Sequence, residues 1–350
     1  MTGILKPAHM SVQWKCPSNI ALVKYWGKRD FQKPMNASLS FVLQNAFTET
    51  SVEIIKAGYG NVAFDFEGSA SSFGERIEKY LDRLSSELAW IRQNDFRISS
   101  RNSFPHSAGI ASSASSFGAL ALCLTELDFL LSGKEPGGRD FWKKASQLAR
   151  IGSGSACRSV YPGFAVWGKT QLFESSADDY AIPVSDGIHP DYYTLRDAIL
   201  LVDSGSKEVS SSAGHQLMNG HIFQRSRIIQ AYENICKLDL ALLTGNREKF
   251  VDVVESEALS LHAMMMTSNP SFILLKPNSL EIINRIRRFR KKSNIPVCFT
   301  IDAGPNIHLL YFGENEPAIK AFIELELLPL CENGKWIDDR IGTGPKRMND

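Results

Sequence analysis

The chain is short of cysteine, of net charge and of unbroken apolar length, and each shortage removes a class of protein. Its six cysteines, Cys16, Cys123, Cys157, Cys236, Cys298 and Cys331, are scattered singly. No CxxC pair exists to bind zinc or exchange disulfides, and six thiols are too few to staple 350 residues. A reducing, cytoplasmic setting fits that usage. Lys and Arg total 39 against 38 Asp and Glu, so no overall field draws the chain to nucleic acid or to an anionic membrane. Hydrophobic residues make up 43% of the chain, yet no run reads as the ~20 consecutive apolar residues that cross a bilayer. The protein reads as soluble. The first residues hold no apolar core of signal-peptide length, and export is not expected. The seven histidines form no HExxH pair, and no protein-held metal is expected.

What is present alternates between helix-like and strand-like segments. "TETSVEIIKA" is β-branched and partly alternating, the pattern of a strand with one wet face. In "GERIEKYLDRLSSELAWIRQ", Ile77, Leu81, Leu84 and Leu88 recur at helical spacing and predict one helix. "DAILLVDSG" reads as a short buried strand. "SLEIINRIRRFRKK" predicts a helix with Ile282, Ile283, Ile286 and Phe289 on one face and a basic face from Arg285 to Lys292. "CFTIDAGPNIHLLYF" gives strand, Gly-Pro turn, strand. The class is α+β, and the polar span from Glu174 to Pro190 predicts a boundary between halves, 1–185 and 186–350.

Four stretches carry chemistry. "FPHSAGIASSAS" places Ser107, Ala108, Gly109, Ala111, Ser112, Ser113 and Ser115 just ahead of an apolar helix. It is neither a Walker A loop nor GxGxxG, but small residues at a helix start leave N–H groups free for an anion, above all a phosphate. "NIALVKYWGKRD" sets Lys24 and Lys28 beside Tyr25 and Trp26 in an otherwise apolar run. "GSGSACRS" is a second small-residue loop, holding Ser153 and Ser155 and ending at Arg158, whose planar donors suit a carboxylate or phosphate. "DAGPN" puts Asp302 at a strand end before a tight turn.

In their order along the chain, and with "NASLS" and "YPGFAVWG", these pieces resemble the mevalonate diphosphate decarboxylases of the GHMP kinase superfamily. The resemblance implies a two-lobed GHMP kinase fold, with a ribosomal-protein-like N-terminal lobe and a ferredoxin-like C-terminal lobe. It implies ATP and magnesium as cofactors, a phosphorylated mevalonate as small-molecule substrate, and a homodimer. By matching position, the loop from Ser107 to Ser115 would hold the ATP phosphates. Tyr25, Lys28, Ser153, Ser155 and Ser211 would hold the substrate, Arg158 would clamp its carboxylate, and Asp302 and Lys24 would be the catalytic pair.

One segment departs from the family. Where relatives often carry an Arg and a Met around Gly214, this chain has Ser212 and His215. A protonated His215, Arg225 or Arg227 would restore the missing charge for a 5-diphosphate, the favoured substrate. Otherwise a 5-monophosphate is the substrate. A kinase that stops at the 3-phosphate is opposed by the presence of both Lys24 and Asp302. An RNA-binding module, suggested by the basic face from Arg285 to Lys292, is opposed by the near-zero net charge.

Overall fold

The computed structural model describes residues 10–66, 72–104, 110–203, 205 and 211–348. Its first sheet is built on two long neighbours, β1 (Met10–Val23) and β2 (Ser38–Ala57), which pair antiparallel from Met10↔Ile54 to Val23↔Leu39. β3 (Val62–Phe66) crosses over through helix α1 (Ser72–Leu84) to the parallel strand β4 (Asn94–Asn102), which pairs with β2. The second half of β2 alternates buried Val52 and Ile54 with half-buried Ser51 and Glu53, the wet-faced strand its sequence predicts.

The predicted single helix over 74–93 stops at Leu84. Ser85 donates its hydroxyl to the Asp82 carbonyl at 2.7 Å, a local bond that competes with helix continuation. Leu88 and Ile91 still reach the core, but through a separate short turn, Ala89–Gln93.

Helix α2 (Ser112–Leu131) is long and apolar enough by length and mean hydropathy to cross a bilayer, although serines, Glu126 and Asp128 interrupt its apolar run. In the fold it is the central core helix, with 78% of its most apolar window buried. It lies among β1, β2 and α3 (Gly138–Gly152), and a short helix, α4 (Ala156–Ser159), follows. β5 (Phe164–Trp167) pairs with β2, and β6 (Ala181–Val184) completes that side of the sheet.

The second sheet is antiparallel, in spatial order β10 (Trp336–Arg340), β7 (Leu195–Leu200), β9 (Ile307–Phe312), β8 (Cys298–Thr300). Helices α5 (Ser211–Gln216), α6 (Gln224–Thr244), α7 (Arg247–Met266) and α8 (Pro277–Ser293) precede β8, and α9 (Glu316–Phe322) follows β9. α8 buries Ile282, Ile283 and Ile286, while Phe289 stacks on Phe322 with ring centroids 4.2 Å apart. The four arginines of its basic face are paired: Arg285 and Arg288 bond Glu281, and Arg287 and Arg290 bond Glu255.

The lobes share more than a cleft. One apolar cluster runs from Ile20, Leu22 and Phe41 of the first sheet to Ile199, Ile235 and Phe250 of the second lobe. Asp339 accepts the N–H groups of Gln44, Asn45 and Ala46 at 2.9, 2.8 and 2.7 Å. The segment 186–350 is also not confined to one lobe, because β11 (Lys346–Arg347) returns to pair with β1.

Candidate active site

Where the lobes meet, a cavity of about 700 Å³ opens, within the roughly 300–1,000 Å³ usual for ligand sites. The end of β1, the start of α2, the loop into α4 and the turn after β8 all border it. Small residues and turn residues at those chain ends leave the space that bulky side chains would fill.

Lys24 follows β1 and is 2% exposed, and its Nζ lies 2.7 Å from the Asp302 Oδ1 of the opposite lobe. Asp302 is 25% exposed and is the only acidic side chain among the described residues lining the cavity. Its backbone carbonyl accepts from His262 Nε2 at 3.2 Å. Burial pulls His262 down to about 4, so its ring is neutral near pH 7.

The start of α2 has the chemistry its sequence suggests. Ala111 caps the helix in the left-handed region at φ 36°, and its side chain offers no hydrogen bond to the first turn. The N–H groups of Ser112 and Ser113, both cavity-lining, therefore lack a side-chain cap while the positive end of the helix dipole stands behind them. The two small-residue loops meet here, with Ser113 Oγ and Ser153 Oγ 3.2 Å apart. Ser155 also lines the cavity. Ser115 does not: it is fully buried, bonded to Thr48 Oγ1 at 2.7 Å and to the Ser112 carbonyl, because one helical step turns it toward β2. Ser107, Ala108 and Gly109, and the side chains of Ser211 and Ser212, lie outside the described residues.

Arg158 is a buried cation held by neutral acceptors. Its Nε and Nη2 donate to Asn19 Oδ1 at 3.2 and 3.1 Å, and Nη1 donates to Ser38 Oγ. Burial lowers its pKa from the ordinary arginine value, but a guanidinium remains charged. Of its five N–H donors, these bonds use three, on a side chain that lines the cavity. Tyr25 stands beside it with a buried hydroxyl that has no partner among the described residues, and burial raises its pKa well above the ordinary tyrosine value. Gly154 lets that ring in: a Cβ there would sit 2.9 Å from Tyr25 Oη and 2.7 Å from Trp167.

The mouth is cationic. Arg76, Lys79 and Arg83 project from one face of α1, and Lys28 faces them. Burial, with Arg76 beside it, brings Lys28 from 10.5 down to about 8. The expected substitutes for the missing arginine fail. His215 Nδ1 accepts the Gly27 N–H at 3.0 Å, and burial plus Lys28 hold its pKa well below 6.5, so the ring is a neutral plate against Tyr25 and Trp26. Arg227 is 1% exposed and committed to Glu257, and Arg225 lies outside the cavity lining. Reading the sequence assigned no role to Asn19, Ser38, Arg76, Glu257 or His262. Asn19 and Ser38 were inside motifs already singled out, whereas Glu257 and His262 on α7 show no local pattern.

Two lobes, a helix start opening on the cleft and a Lys–Asp pair across it suit a phosphoryl-transferring enzyme, and the likeness to solved structures makes the fold that of the GHMP kinases. A family model described as diphosphomevalonate decarboxylase-like N-terminal domain matches residues 16–180, and one described as mevalonate 5-diphosphate decarboxylase C-terminal domain matches 198–339. The diphosphomevalonate decarboxylase of Debaryomyces hansenii is 30% identical over 324 residues, covering 88% of this chain and 81% of that protein. The crystal structure of mevalonate diphosphate decarboxylase from Staphylococcus aureus superposes with a TM-score of 0.84 at 30% identity, covering 98% of this chain and 99% of that one. A solved complex of MDDEF with MVAPP, AMPPCP and magnesium gives 0.83 at 28% identity, covering 98% of this chain and 100% of that one. The chain belongs to the diphosphomevalonate decarboxylase family.

Proposed function

We propose that this chain uses ATP to convert mevalonate 5-diphosphate to isopentenyl diphosphate, phosphorylating the 3-hydroxyl and then releasing phosphate and carbon dioxide. The observation that carries the reading is the Lys24–Asp302 pair, 2.7 Å apart, in one cavity with the α2 helix start and Arg158. The MDDEF complex supports it, since that relative binds MVAPP, an ATP analogue and magnesium in the same fold.

A tertiary hydroxyl is a weak nucleophile. Asp302 orients it and takes its proton as the oxygen bonds the γ-phosphorus and ADP leaves. Lys24 holds that carboxylate in place and adds positive charge beside the transferring group. Ser112, Ser113 and the helix-start amides hold the nucleotide phosphates. In the second step the bond from carbon 3 to oxygen breaks with its electrons going to phosphate. The pair joining the carboxylate to carbon 2 becomes the new double bond, and carbon dioxide leaves. Asp302, returned to a carboxylate as its proton passes to the departing phosphate, stands beside the electron-poor carbon and stabilises it, while Arg158 keeps the departing carboxylate aligned.

Among the described residues no group of three His, Cys, Asp or Glu forms a metal cage. The donor set fits a magnesium ion brought by the nucleotide, which the Asp302 carboxylate and the Ser112 and Ser113 hydroxyls would help to hold. Bound there, it supplies charge neutralisation for the phosphates.

Lys28 and Arg76 favour the 5-diphosphate over the 5-monophosphate, because two cations face the anionic end without help from residue 212 or His215. The deciding assay supplies purified protein with ATP, magnesium and each of mevalonate, its 5-phosphate and its 5-diphosphate. One carbon dioxide per ATP with the diphosphate is expected. ATP consumption without gas would mean a kinase, and a preference for the 5-phosphate would replace the substrate.

The chain is read as a cytoplasmic homodimer. Six free thiols, five of them buried, suit a reducing compartment. Exposed Ile229, Tyr232, Leu240 and Leu243 fall on one face of α6 and supply an apolar surface for a second copy. Sedimentation of Leu240→Glu as a monomer beside a dimeric parent supports this; a monomeric parent rejects it. The ion pairs along α8 support a reading without a nucleic-acid partner, and the burial of α2 supports one without a membrane span.

A further inference from the structure

Lys24 lies one residue beyond the last paired residue of β1, where its peptide groups have no strand to bond. They are held instead by side chains, two of them from the second lobe. The Lys24 N–H donates to Glu257 Oε2 at 2.7 Å across 233 residues of sequence. Its carbonyl accepts from Arg227 Nη2 at 3.0 Å and from Asn36 Nδ2 at 2.9 Å.

The two second-lobe side chains among these are themselves locked together. Arg227 on α6 meets Glu257 on α7 in a two-pronged pair, Nη1 to Oε1 at 2.9 Å and Nη2 to Oε2 at 2.6 Å. Asn234 Nδ2 adds a second donor to Oε1 at 2.7 Å. Arg227 and Glu257 are 1% and 0% exposed. A buried ion pair contributes little net stability compared with apolar residues of the same shape, so its presence calls for another role. α7 also carries His262, which holds the Asp302 backbone carbonyl at 3.2 Å. One helix thus touches the main chain of both partners of the Lys24–Asp302 pair.

We infer that Glu257, fixed by Arg227, is a positioning residue for Lys24, and that α7 with Glu257 and His262 sets the separation of Lys24 Nζ and Asp302. The inference rests on the proposed reaction, in which that pair is catalytic. α7 acts as a jig: it belongs to the lobe of Asp302 and reaches across the cleft to fix the backbone from which the lysine extends. A displacement of about 1 Å at such a pair costs on the order of 100-fold in rate.

The test is a double-mutant cycle read as carbon dioxide release per nucleotide-binding site. Glu257→Gln keeps the shape but breaks the charge pair. It is expected to lower kcat about 10- to 100-fold with the KM for ATP and substrate within about twofold. In a Lys24→Met background the same substitution is expected to change kcat less than about twofold, since positioning acts only through Lys24. A merely structural role would lower the unfolding temperature and give the same fold-loss in both backgrounds, which overturns the inference. Should Glu257→Gln leave a lone buried arginine that prevents folding, Arg227→Met with Glu257→Met removes both charges together. That folded double variant is expected to show the same kcat loss, and full kcat in it overturns the inference. An inactive parent protein would instead reject the proposed reaction.

Discussion

Lys24 and Asp302 are separated by 278 residues of sequence and by 2.7 Å in space. The lysine belongs to the first lobe and the carboxylate to the second, so the pair exists only because the lobes share a core and are pinned by Asp339 and by the Glu257–Arg227 contacts to the Lys24 backbone. The site is a property of the assembled chain.

Arg158 is expected to be retained for chemistry at no benefit to stability. Its guanidinium is buried on Asn19 and Ser38, and no carboxylate among the described residues pairs with it. Arg158→Met removes a desolvated charge and fills much of the same volume. Calorimetry should show an unfolding midpoint no lower than the parent, while kcat/KM falls at least about 100-fold. A large loss of stability would show that the arginine holds the fold.

Lys28 predicts how substrate binding responds to alkali. Its pKa in the folded protein is lowered to about 8, so the cation fraction falls as pH rises through that value. The KM for the phosphorylated substrate should be flat near pH 7 and climb above pH 8, approaching roughly tenfold per pH unit. Lys28→Arg keeps its charge throughout and should flatten the profile. An unchanged climb in that variant would place the titration elsewhere.

His262 predicts acid sensitivity. Its pKa is lowered in the folded state to about 4 from 6.5, so the folded protein favours the neutral ring. The stability contribution is complete above about pH 6.5 and is lost as pH falls through about 4. Urea midpoints measured from pH 7 to pH 4 should fall in the parent and fall less in His262→Gln. Equal slopes would mean that other groups carry the acid response.

Much of the site was legible in the sequence because its backbone geometry demands particular residues. The small residues of the two loops, the Lys24–Lys28 run and the Asp302 turn all announce themselves locally, and the structure brings the described ones around one cavity, except Ser115. That exception has a simple origin: consecutive positions at a helix start face different ways, and the sequence does not mark which serine turns inward. The helix ending at Leu84 was misread because Leu88 keeps helical spacing across a break made by Ser85. His262 and Glu257 were invisible, and Arg227 was legible only as a possible charge for the substrate, for a different reason. On α6 and α7 they look like ordinary polar positions, and only the packing of one lobe on the other shows what they touch.

The most direct measurement is the turnover of Asp302→Asn, an isosteric change that removes the charge and the proton acceptor but leaves the shape. With ATP, magnesium and mevalonate 5-diphosphate, kcat is expected to fall about 1,000-fold, with nucleotide affinity and substrate KM within about threefold of the parent. Turnover within about tenfold of the parent would contradict the assignment of Asp302 as the group that accepts the proton.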